Sequence, residues 1–176
     1  MASLTDRMIR AAKLDVNLYE EVEADPQAMG QAMTVVVLSS VAAGIGSGRG
    51  LGGIIGGAVV ALIGWFIWAY ITYFVGTRLL PEPQTHADHG QLLRTIGFSS
   101  APGVIRVFGF IPLLGALIHL IAGVWMLIAM VIAVRQALDY TSTGRAVGVC
   151  LIGWLIYMIA FALLGALFGG LVRPFQ

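Results

Sequence analysis

An all-α integral membrane bundle of about five hydrophobic helices, the third short or kinked, is the fold class this sequence predicts. Three observations carry it. Hydrophobic residues make up 59% of the 176-residue chain against 11% charged, with a mean hydropathy of +0.90, too apolar for a soluble domain that must coat itself in charge. Four uncharged windows, Pro26 to Gly48, Gly50 to Thr77, Val107 to Val134 and Ala146 to Val172, each exceed the roughly 20 residues that cross a 30 Å hydrocarbon core. A fifth window, Thr95 to Ile105, is closed by Arg94 and Arg106. Extended to Ile111 it just suffices to span, and Pro102 and Pro112 make it either a kinked short helix or a re-entrant segment.

The polar segment, residues 1–25, precedes a membrane domain at 26–176. Projected at 100° per residue, Leu4, Met8, Ala11 and Ala12 share one arc with Arg7, Arg10 and Lys13 opposite, which predicts a short helix lying in the membrane interface. Asp15 breaks it and caps a second short turn through Leu18, Tyr19 and Val22. Asp25 and Pro26 suit the N-cap and first helical position of the first span. The segment has no apolar core ending at a small-residue cleavage site, so it does not read as a secretory signal and the first span directs insertion.

Gly44, Gly46, Gly48 and Gly50 superficially resemble a phosphate-binding fingerprint, but they follow a membrane run and no strand precedes them, so they read as a tight turn. Beyond it Gly53 and Gly57, and on the last span Gly165 and Gly169, form small-xxx-small pairs that predict close helix packing and a homo-oligomer. Trp65, Trp68, Tyr70, Tyr73 and Phe74 predict core packing or an aromatic belt.

Nine acids against ten bases give a net charge of +1, which argues against nucleic acid as a partner. The single cysteine, Cys150, precludes an intramolecular disulfide. Counting Lys and Arg, five spans place Arg7, Arg10, Lys13, Arg78, Arg94, Arg135 and Arg145 inside and Arg49, Arg106 and Arg173 outside. Four spans plus a re-entrant hairpin exchange Arg106 and Arg173 for Arg135 and Arg145. Either arrangement is seven against three, so the rule puts the N-terminus in the cytoplasm without fixing the number of crossings.

Arg106 and His119 are the ionisable residues placed at membrane depth, where burial demands compensating partners. Each has a plainer reading: Arg106 snorkels to the interface, and His119 is a neutral imidazole bonded to a backbone carbonyl. Arg135 and Asp139, four apart, read as a structural surface pair. His86 and His89 are three apart at the start of a helix, a weak candidate for a transition metal with a carboxylate from the run Glu20, Glu21, Glu23 and Asp25; the simpler reading is a solvated loop capped by Thr85. No nucleophile, base or carboxylate constellation marks an enzyme, and no cofactor is expected.

The stretch Gly90-Gln-Leu-Leu-Arg-Thr-Ile-Gly97-Phe98-Ser-Ser-Ala-Pro102 resembles the glycine, aromatic, small-residue, proline signature of the Ypt-interacting-protein (Yip) family. Tyr19 to Pro26, Thr72 to Arg78, Ala133 to Tyr140 and Thr143 to Ala146 resemble its bacterial members in order and spacing. The resemblance implies five transmembrane helices, a multi-pass protein of the bacterial inner membrane, and a C-terminus outside. It implies a cytoplasmic face carrying Asp15, Tyr19, Gly97, Phe98 and Pro102; of the element that eukaryotic relatives place before the first span, only Asp15 and Tyr19 are kept. The expected function is a non-enzymatic, oligomerising scaffold for membrane or cytoplasmic protein partners, the alternative a channel or transporter for an ion, small solute or lipid.

Overall fold

The computed structural model describes residues 2–171, leaving aside the side chains of Phe161 and residues 164–171. Every element among the described residues is helical. Helix α1 (Leu4–Ala12) is capped by Ser3, whose hydroxyl accepts from the Asp6 amide. The break comes at Leu14, which adopts a left-handed φ of 61°, and Asp15 caps α2 (Val16–Ala24) by accepting from Asn17. Asp25 accepts from Gln27 and Pro26 opens a short 3-10 turn that leads into α3 (Met29–Gly46).

Helix α4 (Leu51–Phe74) ends in a π turn, Val75–Leu79. Helix α5 (His89–Phe98) carries a complete capping box, Asp88 with Gln91. It gives way to a 3-10 run, Ala101–Phe110, because Pro102 has no N–H to continue the α ladder and disfavours α geometry before it. Helices α6 (Gly115–Ala137) and α7 (Thr143–Leu171) complete the described residues.

Among the described residues four helices are long and apolar enough to cross a membrane: Pro26–Gly46, Leu51–Leu79, Gly115–Ala137 and Thr143–Ala160. The third expected helix takes another form, a ten-residue α5 followed by ten residues of 3-10 helix. This pair runs along α3 in the same direction. A Cβ on Gly97 would lie 2.8 Å from the Ala32 Cβ, Gly103 abuts the Ser39 hydroxyl, and Gly46 abuts the Arg106 carbonyl.

Burial concentrates at the end of the bundle where α1 and α2 pack. Tyr19, Leu18, Val22, Leu92, Ile96, Phe98, Val134, Leu138 and Val149 are all fully or almost fully enclosed there. Arg7 departs from the expected polar face: it is buried and binds Glu21, Asp25 and Gln31, while Arg10 binds Asp15 and Glu21. Arg10 chiefly holds the Glu21 carboxyl, and Arg7 the Asp25 carboxyl, below the ordinary range. The buried Arg94 donates to the Val22 and Glu23 carbonyls at the end of α2, a cation satisfying orphan helix carbonyls. Of the acidic run, Glu21 and Asp25 are thus paired inside the fold, while Glu20 stays exposed and accepts from Gln136.

The same end is tied through its loops. The Tyr140 hydroxyl lies 2.7 Å from the Leu80 carbonyl oxygen and 2.9 Å from that of Gly76, closing the π turn of α4. Glu82 accepts from the Thr141 amide and hydroxyl and from Gln84, and lies 3.4 Å from Arg145; the Thr141 amide contributes most to holding its carboxyl below the ordinary range. Arg135 does not pair with Asp139. It donates instead to Tyr140, Thr141 and Thr143, because Asp139 turns out of the helix with a φ of 53°.

Candidate functional site

Toward the opposite end the helices line an open cavity of about 530 Å³ among α3, α4, the 3-10 run, α6 and α7. Its polar wall is built from Ser39, Ser40 and Ser47 of α3 and the turn beyond it, Arg49, Arg106 and His119; its apolar wall from Trp65, Trp68, Met126, Met130 and Tyr157. Among the described residues no Asp or Glu lines it.

The 3-10 run delivers Arg106, and the local backbone aims it. Its Nε donates to the Gly103 carbonyl at 3.1 Å and its Nη2 to the Ser39 hydroxyl at 2.7 Å, so the guanidinium plane is fixed by one local and one cross-helix bond. Ser39 lies seven residues before the end of α3 at Gly46, about 10 Å along the axis at 1.5 Å per residue. Arg106 therefore turns inward instead of snorkelling. Long 3-10 runs are uncommon and mark functional or strained segments; this one carries an arginine into the bundle.

His119 is held one turn into α6, its Nδ1 2.9 Å from the Gly115 carbonyl. A carbonyl only accepts, so Nδ1 carries a proton, and Nε2 lies 3.5 Å from the Ser47 hydroxyl. The Ser47 hydroxyl spends its own proton on the Ala43 carbonyl at 2.7 Å. The pair is a polar lining, not a nucleophile poised against a base.

Gly53 and Gly57 face the Arg49 side chain. A Cβ on Gly53 would stand 3.2 Å from the Arg49 Cβ, and one on Gly57 would stand 3.9 Å from Arg49 Nη1 and from the Ser40 hydroxyl. The space expected to admit a neighbouring helix admits an arginine. Close approaches to another segment's backbone fall at Gly46, Gly97 and Gly109, and Gly103 instead meets the Ser39, Arg106 and Met126 side chains. Gly165 and Gly169 lie outside the residues whose surroundings are described.

Other expected site residues sit elsewhere. Gly97, Phe98 and Pro102 are buried and Tyr19 is fully enclosed, so with Asp15 as a cap they build the interior and form no open face. His86 lies exposed in the loop before α5, whereas His89 opens that helix with its ring against Phe66, Tyr70 and Tyr73. They share no helix face, and Thr85 caps nothing there: its hydroxyl accepts from the Glu82 amide. Among the described residues no group of three His, Cys, Asp or Glu is placed to hold a metal.

Arg49 is the cavity residue that sequence reasoning missed, because an arginine in a glycine turn reads as an exposed loop charge. Its position one turn ahead of Gly53 and two ahead of Gly57 was the available signal.

A family model described as the Yip1 domain matches residues 20–165, a span that contains the whole polar wall of the cavity. No curated protein and no solved structure matches the chain.

Proposed function

Since the chain belongs to the Yip1 domain family, we propose that this multi-pass membrane protein is a non-enzymatic member that admits a small solute or lipid to a cavity at membrane depth. The observation that carries the reading is the convergence of Arg106 and His119, from two separate elements, on one cavity with Arg49. Ionisable groups at such depth are costly unless they serve a ligand or pathway.

The proposed topology has five crossings, with residues 1–25 in the cytoplasm, residues 26–176 as the membrane domain, and the C-terminus outside a bacterial inner membrane. The fifth crossing is α5 with its 3-10 extension. Ten residues at 1.5 Å and ten at 2.0 Å give about 35 Å, enough for a core of about 30 Å. Its course beside α3 from Ala32 to Gly46 supports this.

Flux from proteoliposomes is the test. Transport of a solute or lipid that is lost in Arg106→Gln and His119→Gln supports the proposal; no flux with any tested class, the protein being folded, contradicts it. The second reading is a homo-oligomeric scaffold that meets protein partners. It is favoured by α4, of which only 6% of the membrane window is buried, and where Gly52 and Gly56 have open space before them.

A further inference from the structure

The cavity holds cations without internal counter-ions. Arg106 uses Nε and Nη2 on neutral oxygens of Gly103 and Ser39, and neither it nor Arg49 has an ion pair among the described residues. The Arg49 side chain reaches Gly57 and so approaches the same serine-lined wall, Ser40 being equally near. Elsewhere in this fold Arg7 and Arg10 each take carboxylates. Arg106 is half-buried and Arg49 exposed, and no acidic side chain lines the cavity among the described residues, so an anion reaching both would supply a negative charge that the lining does not. Two planar guanidinium groups flanked by hydroxyls suit a tetrahedral oxyanion, for which arginine provides forked donors. Beside them Trp65 and Trp68 line the same cavity, a wall that suits an apolar neighbour of that anion.

We propose that the cavity binds a phosphate group, held by Arg49 and Arg106, as the headgroup of an anionic phospholipid whose apolar part lies along Trp65 and Trp68. The inference rests on the proposed function by naming the ligand class of the same cavity. A soluble phosphate is the other source of the same chemistry.

The test uses delipidated, detergent-solubilised full-length protein, titrated separately with phosphatidylglycerol, diacylglycerol and inorganic phosphate. Tryptophan fluorescence follows binding and native mass spectrometry counts bound lipid. Saturable binding of phosphatidylglycerol, at least tenfold weaker in Arg49→Gln/Arg106→Gln and recovered in part by Arg49→Lys/Arg106→Lys, supports the lipid. Saturable inorganic phosphate with no lipid response supports the phosphate site and makes its source soluble. Diacylglycerol binding as well as phosphatidylglycerol, or equal binding by wild type and the glutamine variant, overturns the proposal. If the double variant fails to fold, Arg49→Gln alone decides, because Arg49 sits in an exposed turn. Flux of an uncharged solute that depends on Arg106, with no phosphate binding, would leave the proposed function standing and this inference refuted. Phosphate binding without flux of any kind would do the reverse.

Discussion

Adding one methyl group at Gly97 tests how the motif glycine holds the bundle together. Its Cβ would lie 2.8 Å from the Ala32 Cβ and 3.2 Å from the Ala32 Cα and carbonyl oxygen, whereas carbon atoms pack best at about 3.5–4.0 Å. The obstacle includes backbone, so no side-chain rotation relieves it and α5 must move from α3 by roughly 0.7–1.2 Å. Overpacking of this kind costs about 1–3 kcal/mol, while replacing a helical glycine by alanine returns about 1 kcal/mol of helix propensity. Gly123→Ala is the matched control: it lies within α6 and a Cβ there meets nothing within 4 Å. The Gly97→Ala protein should therefore be less stable than Gly123→Ala by about 1–3 kcal/mol. Adding Ala32→Gly to Gly97→Ala should recover part of that difference as a coupling energy in a double-mutant cycle. Unfolding in detergent, followed by circular dichroism, is the assay. Equal stability of the two alanine variants, or no coupling with Ala32→Gly, would refute the close-approach reasoning.

Tyr140→Phe removes the hydroxyl whose single proton is shared between the Gly76 and Leu80 carbonyls, and should destabilise the protein by about 1–3 kcal/mol in the same assay. Glu23 is 8% exposed, and burial with the nearby Asp139 and Glu20 raises its carboxyl from 4.5 to about 7. A carboxyl raised on folding penalises the folded state as it ionises, so stability is lost as pH rises from about 4.5 through 7. Glu23→Gln should be increasingly favoured over wild type across that window, by a difference that reaches about 3 kcal/mol at 1.36 kcal/mol per unit; a constant difference would remove Glu23 as the cause. A reporter active only in the cytoplasm, fused after Gln176, should stay silent with five crossings, and its activity would mean an even number.

The helices were legible because uncharged windows are long and charges at membrane depth are expensive. Their starts at Asp15, Asp25 and Pro26 were legible because caps are local chemistry. The 3-10 continuation was not: Pro102 announces that the α-helix stops, but the course of the chain after it depends on the contacts of Gly103 and Gly109 with α3 and α6. Arg7 shows the same limit. Helical projection put it on a polar face, yet Glu21, Asp25 and Gln31 come round from later segments to enclose it. The glycine pattern marked Gly53 and Gly57 as places where something approaches closely, and spacing alone could not say that the neighbour is Arg49. Arg106 and His119 were visible one by one from their positions in apolar windows. That they share a cavity comes from the course of the 3-10 run beside α3.

The proposed opening of the polar cavity, at membrane depth and reached from the end of the bundle that carries Arg49, is best tested by a cysteine placed in it. Ser40 lines the cavity, while Ala69 and Ala129 are fully enclosed. In a Cys150→Ala background, Ser40→Cys should react with a small hydrophilic, membrane-impermeant thiol reagent added outside intact cells, and Ala69→Cys and Ala129→Cys should not. Protection of Ser40→Cys from that reagent on both sides would contradict the open cavity, and its labelling only from the cytoplasmic side would contradict the orientation proposed for it.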